Sequence, residues 1–350
     1  MVLVNNPGTW RAVYPPLRHA EWHGWTPTDL IFPFFLFIVG VAIPLALGRR
    51  LAAGEPHGAV LAKILRRSVV IFALGLVLHA VPDFDFANIR IPGVLQRIAV
   101  CYLVASLLFV YTGWRTQAGL AVALLLGYWA ALMLVPVPGF GRGHLDPQGN
   151  LAAFIDRMLL GPHIWRAARV YDPEGILSTL PAIATTLLGV LTGGWLRVAR
   201  RPSVTARGLF AAGIVGVGLG ELWGVWLPIN KALWTSSYAV LTAGAALLGL
   251  AVCYWLVEVR GFRAWTRPFV ILGVNALVLF FLSSLVARLL IVIKVPRESG
   301  QGPLHALLFD RFFAPWATPI NASLAYAIAY LAFWLAVMWV LDRRGLRLTV

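Results

Sequence analysis

Apolar runs of about twenty residues recur along this chain, and no other feature limits its fold as tightly. A soluble core cannot absorb many such uninterrupted blocks, so each reads as a membrane span. Nine are counted, at roughly 27–48, 62–81, 94–112, 117–136, 174–196, 208–228, 235–257, 268–293 and 321–341. Backbone polar groups in lipid must be bonded within their own segment, so these spans are helices. The composition agrees, with 60% of residues hydrophobic and 12% charged, at a mean hydropathy of +0.80. The expected fold class is all-α, a polytopic transmembrane helical bundle, with residues 1–350 forming a single domain.

A formal net charge of +15 invites a nucleic-acid reading, but its distribution argues against one. Basic residues gather in alternate loops. The first set is Arg49, Arg50, Lys63, Arg66 and Arg67, followed by Arg115 and then by Arg197, Arg200, Arg201 and Arg207. Arg260, Arg263 and Arg267 follow, and Arg343, Arg344 and Arg347 close the series. These segments hold sixteen basic residues against three acidic ones, Glu55, Glu258 and Asp342. The intervening loops hold twelve and ten, with Arg288 and Glu221 falling inside spans. This is the positive-inside pattern, which puts the basic set in the cytoplasm and the loops 6–26, 137–173 and 294–320 outside. Only four apolar residues precede Asn5, too few to cross a bilayer. "MVLVNN" is therefore expected to end a truncated first helix, for ten spans in the complete protein. Cys101 and Cys253 both fall in spans, and no pair of histidines has the spacing of a helical metal motif. No disulfide framework and no metal are expected.

Chemistry concentrates in "LRHAEWHGWTPTDLIFPFFLF", Leu17 to Phe37. Thr26 can cap the helix, Pro27 suits its first position, and Asp29 completes a Thr-x-x-Asp capping arrangement. Pro33 has no N–H, so the Asp29 carbonyl loses its usual helical partner. The helix mouth beside His19 and His23 thus offers free N–H groups, a carboxylate and an unpaired carbonyl. Two readings stand: a well-capped, kinked helix entry, or a polar outer pocket with a histidine base. Six of the seven histidines fall in the outer half of the topology.

"YDPEGILSTL", Tyr171 to Leu180, repeats the grammar with Asp172 as cap and Glu174 in the first turn. Capping accounts for it, as does a carboxylate pair facing the outer pocket. Between these stretches Leu151, Phe154, Ile155, Met158 and Leu159 line one face of a short helix, with Asp156 and Arg157 off that face. Such a helix can lie in the interface and roof a site. Arg97, in "IRIPGVLQR", sits about a turn into a span, where it has a partner or a task, or snorkels to the interface. Arg288 is read the same way. "LPINKALWTSSY" offers Asn230, Lys231 and Trp234, which suit a sugar and suit an interfacial loop equally well.

Six blocks, in order, resemble the heparan-α-glucosaminide N-acetyltransferase family and its bacterial relatives. They are "VNNPG…RHAEWHGWTPTDLIFPFFLFIVG", "IRIPGVLQRIAVCYL", "GRGHLDPQGNLAAFIDRMLLG", "YDPEGILSTLPAIATTLLGV", "PINKALWTSSY" and "PFVILGVNALVLF". The resemblance implies acetyl transfer from cytosolic acetyl-CoA to a glucosamine amine across the membrane. The histidine of the family's H-x-x-W-x-G-x-T-x-x-D-x-x-F-P block is regarded as the active-site residue. The matching positions are His19, Trp22, Gly24, Thr26, Asp29, Phe32 and Pro33. The family's asparagine at the end of the first helix matches Asn5. Two departures are visible: the family's Asp-x-x-Arg-Gly lead is absent, and the segment between Asn5 and His19 carries Pro7, Pro15 and Pro16; His23 also stands where the family does not demand histidine.

Together these readings predict a membrane acyltransferase of the inner membrane, with its active-site loop facing the periplasm. His19 is expected as general base or acetyl carrier, polarised by a neighbouring acid or amide, with Asp29 among the catalytic residues and Asn5 or a backbone N–H at the helix mouth holding the oxyanion. Trp22, Arg97, Asp172, Glu174, Asn230 and Lys231 are the expected binding residues. Acetyl-CoA is the co-substrate, its phosphates drawn by the cytoplasmic basic loops. The expected partners are an amino-sugar acceptor, membrane lipid and, for the assembly, a second copy in a homodimer. The rival classes are a secondary transporter of a small sugar or glycan fragment, for which ten kinked spans also suffice, and a non-catalytic assembly subunit.

Overall fold

The computed structural model describes residues 1–198, 200–297 and 300–346. Arg347, the last of the predicted cytoplasmic basic residues, lies outside them. The longer helices are α1 (Ile31–Ala52), α2 (His57–Ala80), α3 (Val94–Tyr111), α4 (Trp114–Leu134) and α6 (Thr179–Leu196), with a short α5 (Leu151–Leu160) before α6. They continue with α7 (Pro202–Gly224), α8 (Ser236–Tyr254), α9 (Arg267–Val274), α10 (Ala276–Val292), α11 (Leu304–Phe312) and α12 (Pro319–Arg343). A small antiparallel hairpin, β1 (Lys294–Arg297) with β2 (Gly300–Pro303), joins α10 to α11.

All nine predicted runs contain helix, and the molecule is a multi-pass membrane protein. Among the described residues, seven helical segments are long and apolar enough to cross a membrane. An eighth is a broken pair, Ala264–Val274 with Ala276–Val292, bent by 68°, where Asn275 leaves helical geometry. α2 stays outside this set because Lys63, Arg66 and Arg67 occupy its first half. Two predicted boundaries shift for local reasons. The run at 174–196 becomes helix only from Thr179, since the preceding residues are held in turns. The run at 208–228 begins at Pro202, which suits a first helical turn.

Between helices in lipid there is no hydrophobic drive, so close backbone packing carries association. α1 meets α6 at Gly40 and Gly189, where a Cβ on either would overlap the other helix's backbone. Gly216 and Gly244 do the same for α7 and α8. The main core joins Leu36, Ile64, Ile98, Leu187, Trp234 and Tyr238 from α1, α2, α3, α6 and the start of α8. A second cluster ties Val2 to α9, α10 and α12. Large apolar side chains such as Val122, Leu126, Phe210, Ile214 and Phe333 face outwards, as a lipid-facing surface requires.

The loops sort to two ends. At one end Trp22 reaches Leu145, Ile91 pairs with His163, Arg90 with Asp172, and Gly24 with Ile229. At the other, Arg197 donates to the Gly48 carbonyl, joining two of the predicted basic loops. The first end gathers loops predicted to lie together outside.

Candidate active site

The segment before α1 folds back on one carboxylate. Pro27–Leu30 forms a single 3-10 turn entering α1, with Thr26 and Asp29 closing a capping box. Asp29 is buried, and its Oδ2 accepts from the Ala20 N–H (3.0 Å), the Thr26 N–H (3.0 Å) and the Thr26 hydroxyl (3.1 Å). Its Oδ1 faces His19 Nδ1 at 2.6 Å. An anion at a helix N-terminus is further favoured by the peptide dipoles. With Nδ1–H donating to Asp29, the free lone pair of His19 is on Nε2, the tautomer that serves as base or nucleophile. The imidazole is 42% exposed, so a substrate can reach it.

Asn230 shapes the turn between α7 and α8 that closes the site. It is buried, its Oδ1 accepts from the Leu233 N–H (2.8 Å), and its own N–H donates to Thr235 Oγ1 (3.0 Å). Its Nδ2 points at His23 Nδ1, 3.4 Å away. His23 is therefore an acceptor there, and burial lowers its pKa, favouring the neutral form. The Gly24 N–H ties this turn to the His19 segment through the Ile229 carbonyl, at 2.8 Å. Lys231 then projects onto His19: its Nζ lies 2.9 Å from Nδ1, 3.2 Å from Nε2 and 3.4 Å from Asp29 Oδ1. Burial pulls the Lys231 pKa down, and the Asp29 charge opposes the shift without cancelling it. Trp22 walls the site, donating to the Leu145 carbonyl at 2.8 Å and meeting Tyr171 edge-on at 5.0 Å.

The Asp29 carbonyl, predicted to be left unpaired by Pro33, has a partner. The Tyr238 hydroxyl, from the first turn of α8, donates to it at 2.6 Å. A buried carbonyl without a donor is costly, and the fold supplies one from a distant helix. Only tertiary packing puts Tyr238 there.

The second predicted acidic motif is also occupied. Arg90, which the sequence reading missed, donates from Nε to Asp172 Oδ2 (2.9 Å), and from Nη2 to Asp172 Oδ1 (2.5 Å) and Glu174 Oε2 (2.5 Å). The two carboxylates thus clamp a guanidinium rather than facing an open pocket. Asp172 also accepts from the Glu174 N–H at 2.9 Å, as a turn cap does. Nothing local marks Arg90 for this role, because its partners lie more than eighty positions away in the chain.

Arg97 does not snorkel. It is 2% exposed, stacks over Trp234 at 5.1 Å, and donates from Nη2 to Ser178 Oγ (2.5 Å) and the Gly175 carbonyl (3.2 Å). Its Nε and Nη1 are buried with no hydrogen-bond partner among the described residues. Through Trp234, on the Lys231 turn, Arg97 abuts the His19 site. Arg288 donates to the Val81 carbonyl at 3.3 Å.

The orientation of α5 corrects its predicted face. Asp156 is buried while Met158 and Leu159 are exposed, although Leu151, Phe154 and Ile155 do pack inwards near Tyr128 and Leu132. Asp156 accepts from the Ile176 N–H at 2.9 Å, and that bond rotates the helix. Burial pushes its pKa up to about 6. Asn5 stands apart: it is exposed, and no side-chain hydrogen bond among the described residues joins it to His19. Its segment lies on α12, where the Thr9 N–H meets Ser323 Oγ at 3.0 Å.

Two of the outer histidines serve as loop clamps, His79 donating to the Arg90 carbonyl and His163 to that of Ile89, each at 2.7 Å. Glu221, the deepest predicted acid, is exposed and accepts from Trp25 Nε1 at 3.1 Å. Among the described residues no group of three or more His, Cys, Asp or Glu is arranged to hold a metal.

A family model described as a domain of unknown function, DUF5009, matches residues 7–166, which takes in the His19 segment and stops before Asp172. The human heparan-alpha-glucosaminide N-acetyltransferase is 32% identical over 242 residues, covering 55% of this chain and 36% of that protein. The mouse protein of the same name is 30% identical over 241 residues, with the same coverage. The chain thus spans about a third of the length of the curated relatives it matches. Over that shared stretch the chain is similar to the heparan-alpha-glucosaminide N-acetyltransferases.

Proposed function

We propose that this protein is a membrane acyltransferase that moves acetyl from acetyl-CoA to the amine of a glucosamine-type sugar, with His19 at the reacting centre. The observation that carries the reading is the His19–Asp29 pair at 2.6 Å, with Asp29 held by three further donors. That arrangement fixes the tautomer and ring orientation, and it stabilises an imidazolium as the proton arrives. His19 Nε2 would take the proton of the acceptor amine, or would itself receive acetyl and pass it on. The relatives' names supply the acetyl group and the glucosaminide acceptor class.

Acetyl-CoA would approach from the basic end, whose loops carry Arg200, Arg201, Arg207, Arg260 and Arg263, as guanidinium groups suit phosphates. A cleft of about 410 Å³ opens there, lined by Ser203, Ala206, Arg207, Phe210, Val252 and Trp255. The basic end is taken as cytoplasmic and the His19 end as periplasmic, in a bacterial inner membrane. Trp22 would stack on the acceptor sugar. The Arg90–Asp172–Glu174 clamp would hold the far wall of the pocket, with Arg97 behind Trp234.

The test is labelled acetyl-CoA with the purified full chain and a panel of amino sugars. His19→Ala is expected to lower acetyl transfer by about 10²–10⁴-fold, the usual cost of losing a positioned base. Expression and detergent extraction should stay near wild type, because the side chain is partly exposed and fills no core position. An unchanged turnover rate in His19→Ala would sink the reading.

A further inference from the structure

One primary amine already stands inside the reacting shell. Lys231 Nζ is 3.2 Å from His19 Nε2 and 2.9 Å from Nδ1. Reacting atoms in a productive complex sit about 3–3.5 Å apart. A sugar amine that gives its proton to Nε2, or attacks an acetyl carried there, must come to this same place. Lys231 is fixed at it from the backbone up, because buried Asn230 holds the turn that projects it. Burial also favours its neutral, nucleophilic form.

We propose that Lys231 is itself an acetyl acceptor of this site, so that the protein acetylates its own lysine when no amino sugar is bound. The Lys231 nitrogen attacks the acetyl carbonyl carbon and the N–C bond forms. The bond from that carbon to its leaving group breaks with its electron pair, which stays on the CoA sulfur in direct transfer or on Nε2 in relayed transfer. The amine's surplus proton passes to His19 and then to solvent or the thiolate. The products are an amide at Lys231 and free CoA thiol. An amide there removes the amine beside Asp29 and leaves an acetamide against His19, where the sugar amine should go. The modification is therefore self-inactivating, and acceptor sugar protects against it. This inference rests on the acetyl-CoA reading above.

The chain carries its own controls, because its other two lysines are Lys63 and Lys294. Both are exposed; Lys63 is paired with Glu55, and Lys294 Nζ meets the Ile291 carbonyl at 3.4 Å. The full chain in detergent is incubated with isotope-labelled acetyl-CoA, with and without glucosamine, and all three lysines are read by peptide mass spectrometry. Without sugar, Lys231 should label at least about tenfold faster than either control, the gain expected of a positioned amine. The label should resist hydroxylamine, vanish in His19→Ala and in His19→Gln, and fall when glucosamine is added. Labelling of Lys231 no faster than Lys63 and Lys294, or undiminished in both His19 variants, would overturn the proposal. Glucosamine acetylation in the same tube reports separately on the parent reading. Acetylated sugar with unlabelled Lys231 overturns self-acetylation alone, and no product of either kind overturns both.

Discussion

A single carboxylate, Asp29, both caps α1 and orients the His19 imidazole, and its capping half is readable from Thr26 and Pro27 alone. A Thr-x-x-Asp box spans four residues, so the sequence carries all of its information. Arg90 has no such local signature, and neither does the inward turn of Asp156. Asp156 gives a pH prediction. Its pKa rises from 3.8 to about 6, with burial as the leading cause. The folded state therefore holds a proton that the unfolded chain has released, and the stability this gives is present below about pH 4. That stability is lost as pH rises through about 6. Asp156→Asn, which keeps an oxygen for the Ile176 N–H, should flatten this dependence and raise stability at pH 8 by roughly 1–3 kcal/mol. Thermal melts in detergent from pH 4 to pH 8 check it; an unaltered pH slope in the variant would refute the assignment.

At the scale of elements, the entry of α1 depends on α8. Pro33 frees the Asp29 carbonyl, and Tyr238 Oη fills it at 2.6 Å. Tyr238→Phe keeps the ring that packs against Trp234 at 5.4 Å but strips the donor. An orphaned buried carbonyl costs about 1–3 kcal/mol, so the variant should melt at lower temperature and, on the proposed function, lose acetyl transfer as the His19 segment loosens. A melting temperature equal to wild type would mean that this bond does not hold the entry. Other elements show where periodicity misleads. α5 has Leu151, Phe154 and Ile155 on its apolar side, yet Asp156 turns inwards because the Ile176 N–H needs an acceptor. The apolar run at 268–293 reads as one helix but bends by 68° after α9.

Across the whole molecule, alternate loops gather at opposite ends, and labelling can test which faces out. In a Cys253→Ser background, Gln148→Cys should react with an impermeant maleimide from outside intact cells. Ser203→Cys should react only after permeabilisation; the reverse pattern would remove the outer-face site. The sequence by itself determined the helical membrane class, the alternating charge, the capping box and the family block around His19. Each of these is set by local length, composition or spacing, because lipid allows few backbone solutions and a cap is built from neighbours. Only the tertiary structure decided that Tyr238 completes the Asp29 turn, that Arg90 clamps Asp172 and Glu174, and that Lys231 lies against His19. Those partners are tens to hundreds of positions apart, and which polar group a buried donor or acceptor finds depends on how the helices pack rather than on what precedes it in the chain.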